Sequence, residues 1–97
     1  MNHAARRPPS FSEELLAHTV RQAKTLAESH VRLASRIDDA GVRDSVDRLR
    51  ATLDDYAAVT EGEFDRVRFG AALERLQESM DALRKEWVRV VRARSPA

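Results

Sequence analysis

The strongest constraint on the fold lies in the last third of the chain. Apolar residues there fall at Phe69, Leu73, Leu76, Met80, Leu83, Trp87 and Val90, with Val91 beside the last. Steps of three and four place them on one face of a 3.6-residue helix. A helix with one apolar stripe has to bury that stripe against another element. Two further stretches show helical periodicity. In the first, Leu16, Ala23, His30 and Ile37 form a seven-residue stripe, with Leu26 and Leu33 on one side and Val20, Ala27 and Ala34 on the other. The second runs through Val42, Val46, Leu49, Leu53 and Tyr56. No strand-like alternation appears. The expected fold is all-α: a three-helix antiparallel bundle with long first and third helices, open to completion by oligomerisation.

The breaks in periodicity set the expected boundaries. Residues 1–10 read as a disordered arm ending at Pro8-Pro9 and Ser10, with Ser10 or Ser12 as N-cap and Glu13 and Glu14 in the first turn, where the helix dipole favours acids. Helix 1 is expected over 12–40. The stripe then slips phase at Asp38-Asp39-Ala40-Gly41, which reads as a helix stop with Gly41 as a left-handed C-cap. Helix 2 is expected over 42–59. Thr60-Glu61-Gly62-Glu63 has the spacing of a capping box, so helix 3 is expected over 63–94, with 95–97 as a tail. Gly70 offers an alternative break, after which the third helix would fold back.

At 97 residues there is room for one core. A hydrophobic content of 42% is too high for intrinsic disorder. The chain has no cysteine, which removes disulfides, thiolate metal sites and thiol nucleophiles. No apolar run is long enough to span a bilayer. The N-terminus has charge but no apolar segment behind it, so the expectation is a cytoplasmic protein. Charge is unevenly distributed. Six Lys/Arg face three Asp/Glu in residues 1–37, six face twelve in 38–81, and five face one in 82–97.

Helix lengths carry the functional expectation. At about 1.5 Å per residue the expected helices measure about 43, 27 and 48 Å. A short second helix would leave the start of helix 1 (Leu15, Leu16, Val20) and the end of helix 3 (Leu83, Trp87, Val90, Val91) projecting from opposite ends of the bundle. Exposed apolar surface of that extent marks a partner site. Arg84, Arg89 and Arg92 would form its polar rim, and Trp87 its anchor. The chain therefore reads as a non-enzymatic protein-interaction module that binds another protein or itself.

Catalytic and metal chemistry find little support. The seven serines in residues 10–95 lack a Gly-x-Ser-x-Gly elbow, and there is no phosphate-cradling glycine loop. Glu14 and His18 are spaced i, i+4, but two ligands do not make a site. The Glu-x-x-His pairs of a di-iron centre are missing. Asp38-Asp39, Asp54-Asp55 and the acidic run from Glu61 to Glu63 lack the pattern of a calcium loop. No metal and no cofactor is expected. His30 sits in the core stripe, where a polar residue that sets register is the simplest reading.

His18 falls on the outer face of helix 1. The segment Ala17-His18-Thr19-Val20-Arg21-Gln22-Ala23 resembles histidine phosphotransfer domains and sensor-kinase dimerisation helices, which carry an exposed His on a helical bundle, typically as His-x-x-Lys/Arg-Gly. The resemblance implies His18 as phosphate acceptor and Arg21 as its basic neighbour. Gln22 departs from the pattern where the family has glycine. A third reading takes Arg84, Lys85, Arg89, Arg92 and Arg94 as a basic face for nucleic acid. The acidic middle of the same domain opposes it.

Overall fold

The computed structural model describes residues 11–94. They form three helices: α1 (Phe11–Ala34), α2 (Ala40–Glu61) and α3 (Arg66–Arg94). No strand occurs among the described residues. The arm at 1–10 and the tail at 95–97 lie outside them, as does the cap at Ser10.

The first connection differs from expectation. α1 stops at Ala34, six residues short of the expected end. The chain tightens there: Arg36 N–H donates to Leu33 C=O at 3.3 Å and Ile37 N–H to Ala34 C=O at 3.0 Å, each three residues back. Gly41 is not a C-cap and no glycine has positive φ. Asp39 instead takes the N-cap of α2. Its backbone is extended (φ −152°, ψ 133°), and its Oδ2 accepts from Val42 N–H at 3.0 Å. A carboxylate that satisfies an orphan amide at a helix start outweighs continuation of α1.

The second connection also moves. α2 continues through Thr60, whose hydroxyl donates to Ala57 C=O at 3.1 Å rather than closing a capping box. Asp65 caps α3, its Oδ1 accepting from Val67 N–H at 2.9 Å and Arg68 N–H at 3.2 Å. α3 then runs unbroken through Gly70, and the fold-back alternative falls away.

α3 returns along α2, with Gly41 against Glu86 and Arg89 at one end and the Tyr56 ring 5.9 Å from Phe69 at the other. Val42, Val46, Leu49, Tyr56, Phe69, Ala72, Leu76, Met80, Leu83 and Val90 are buried along this seam. Among its described side chains, α1 has two that are fully buried, Ala27 and Ala34. It is tied in by Leu16, Val20, Ala23 and Val31, which are half-buried, and by the Tyr56 hydroxyl donating to Val20 C=O at 3.2 Å. The core is thus an α2–α3 hairpin with α1 laid on it through small residues.

Candidate interaction surface

The revised boundaries shorten the projecting ends. With 24, 22 and 29 residues, the helices measure about 36, 33 and 43 Å. Tyr56 sets Val20 level with α2, so about one turn of α1 extends past Glu61. Arg89 meets Asp39 at the start of α2, so about one turn of α3 extends beyond it. Leu83 and Val90, expected on the exposed surface, are buried instead, as members of the same core cluster as Ala34, Val42 and Leu49. Trp87 is half-buried against the core. Leu16 and Val20 also pack partly inward. Of the expected apolar contact residues only Leu15 and Val91 are exposed, about half of each.

The rim arginines divide. Arg89 donates to Asp39 at 2.6 Å and to Glu86 at 3.1 Å. Its pKa rises, first through the Glu86 hydrogen bond and then through Asp39. The Asp39 carboxyl is held below its usual 3.8, first by the Val42 amide and then, against some desolvation, by Arg89. Gly41 makes room for this cluster, because a β-carbon there would collide with the Glu86 carboxylate. Arg84 and Lys85 both reach Asp81, at 3.9 and 3.3 Å. Arg92 is exposed. Three of the five Lys/Arg in residues 82–97 therefore pair within the chain.

The larger exposed apolar feature lies on α1. Leu15, Leu26 and Leu33 are exposed by 50, 50 and 45%. They stand with Thr19, Gln22 and Ser29 at steps of four, three, four, three and four, the spacing of a coiled-coil seam. No charged residue interrupts the seam. This stripe is distinct from the Leu16, Val20, Ala23, Ala27, Val31 and Ala34 stripe that meets the core. Full burial of a leucine contributes about 1.5–3 kcal/mol, so each of the three leaves about 1 kcal/mol unrealised. Sequence periodicity showed Leu26 and Leu33 as flanks of a broad apolar face. It could not tell which flank the hairpin would cover.

His18 is exposed beside this stripe, in a shallow depression lined by Arg21, Gln22, Thr25, Leu26 and Ser29. The Gln22 side chain occupies the place of the glycine in the phosphotransfer pattern. His30 is half-buried, with Nδ1 2.8 Å from Leu26 C=O, a local bond to its own helix. Among the described residues, no group of three or more His, Asp or Glu could hold a metal ion. No helix among them is long and apolar enough to cross a membrane.

No family model matches the chain, and no curated protein or solved structure matches it either.

Proposed function

We propose that this chain is a non-enzymatic helical interaction module, an antiparallel three-helix bundle that binds protein through the outward stripe of α1. One observation carries the reading: Leu15, Leu26 and Leu33 form an uncharged, half-exposed seam on a helix whose adjoining apolar stripe already packs. Two apolar stripes on one helix both call for cover, and the described residues cover only the inner one. Trp87, Leu83 and Val90 serve the core, so the anchor role expected of Trp87 passes to Leu26, near the middle of the stripe.

The test is site-specific photo-crosslinking in the producing cell. A photoreactive residue at Leu26 is compared with one at Glu74, an exposed position on α3. A reproducible adduct of defined mass from Leu26 alone supports the reading. Equal or absent labelling at both positions overturns it.

A further inference from the structure

We infer that the occupant of the α1 stripe is a second copy of this chain, laid antiparallel on the first; this rests on the interaction-module reading above. The stripe is self-complementary in that direction. With Leu15 of one copy opposite Leu33 of the other, Thr19 falls opposite Ser29 and Gln22 opposite Leu26. Every layer then joins a residue at one heptad seam position to one at the other, as in antiparallel coiled coils. The two outer layers are leucine on leucine, the next pair hydroxyl on hydroxyl, and the inner pair leucine on glutamine.

Charge selects the same arrangement. Glu14, Arg21, Glu28 and Arg32 lie along one flank of the stripe, all exposed. Among the described residues none of these four takes an ion pair within the chain; Arg32 reaches only the Ser29 hydroxyl, at 3.3 Å. In the antiparallel register Arg21 lies within one residue of level with Glu28 of the second copy. Glu14 lies within two residues of level with Arg32. A two-fold axis perpendicular to the helices brings the same flanks together, so these four charges, which stand roughly 100–140° around α1 from the centre of the seam, match by sign along the outer edge of the pair in two ways, each made twice. A parallel pairing would bring each charge level with its own copy.

Sedimentation of the full-length chain over a wide concentration range tests the assembly. The expected result is a reversible monomer–dimer equilibrium. Leu26→Glu weakens it by at least about tenfold, or about 1.4 kcal/mol, with unchanged helical circular dichroism. Arg21→Glu weakens it too, and adding Glu28→Arg in the same chain restores it. Orientation is read by disulfide trapping, which the absence of native cysteine makes clean. Leu15→Cys mixed with Leu33→Cys gives a crosslinked heterodimer. Leu15→Cys alone does not, since the two sites in the antiparallel pair are separated by eighteen residues of helix, about 27 Å.

A monomer at every concentration overturns the inference, as does efficient crosslinking of Leu15→Cys alone. Failure here and failure of the module reading are separable. If the purified chain is monomeric but Leu26 crosslinks to a different protein in the cell, the second copy is wrong and the interaction surface stands. If neither assembly nor a Leu26 adduct appears, both readings fall.

Discussion

Tyr56 and Asp39 are single side chains that join helices, Tyr56 all three and Asp39 the start of α2 to α3. The Tyr56 ring is fully buried against Phe69, and its hydroxyl reaches back to Val20 C=O on α1. Tyr56→Phe keeps the ring and deletes that bond, so stability measured by urea unfolding should fall by about 0.5–1.5 kcal/mol. Desolvation raises the Tyr56 pKa above 10.0. Its contribution is therefore complete below the unfolded value and lost as pH rises through the folded one. The phenylalanine variant should lack that component of alkaline destabilisation. For Asp39 the sign reverses. Its folded pKa is depressed, so its contribution is present above about 3.9 and lost as pH falls through the folded value. Asp39→Asn retains an acceptor for Val42 but loses the charge facing Arg89. The stability gap between wild type and this variant should be open at neutral pH and close on acidification. A gap that stays constant to pH 2 would mean the carboxylate charge is irrelevant.

At the level of elements, two helical glycines make a controlled comparison. Gly70 lies in the middle of an unbroken α3 with open space where a β-carbon would stand. Gly70→Ala should therefore raise unfolding stability by about 0.5–1 kcal/mol through helix propensity alone. At Gly41 a new methyl meets the mobile ends of Glu86 and Arg89. Gly41→Ala should gain less than Gly70→Ala, because part of the propensity is offset by rearranging the Asp39–Arg89–Glu86 cluster. Equal gains would show that the cluster adjusts freely. These positions also mark where sequence reading succeeded and where it stopped. The α3 stripe was legible because one face is apolar and the other charged, and its residues Phe69, Leu76 and Met80 are buried; Leu83 and Val90 lie on the same stripe but were expected on a projecting end, and they are buried too. The run Asp38-Asp39-Ala40-Gly41 was misread because it holds both a good N-cap and a good C-cap residue. Only the Val42 amide, which Asp39 accepts, decides between them. The seam on α1 was illegible for a different reason. Both flanks of the Leu16–Ile37 stripe are apolar, and periodicity gives an angle without saying where the neighbouring helices lie.

For the whole molecule, the decisive asymmetry is between a well-buried hairpin and a lightly held first helix. Leu49 is fully buried between its neighbours, so Leu49→Ala should cost about 2–5 kcal/mol of global stability. Leu26 is half exposed, and Leu26→Ala in the dilute monomer should cost no more than about 1 kcal/mol, well below the loss at Leu49. Opening of α1 uncovers two buried alanines and several half-buried residues, whereas opening of α2 or α3 dismantles the core. Native-state amide exchange follows the free energy of the smallest opening that exposes each amide. In dilute solution the α1 amides should therefore exchange well ahead of those around Leu49 and Leu76, and uniform protection across all three helices would contradict this picture. Association adds a second variable to the same measurement. A partner that binds only the folded α1 stabilises it in proportion to the logarithm of its concentration. If the partner is a second copy, protection of α1 should rise with the concentration of the chain itself, while α2 and α3, limited by global unfolding, rise in parallel from a higher base. Leu26→Glu should remove the concentration dependence and leave the hierarchy of helices in place, since the first belongs to the outer stripe of α1 and the second to its thin inner one.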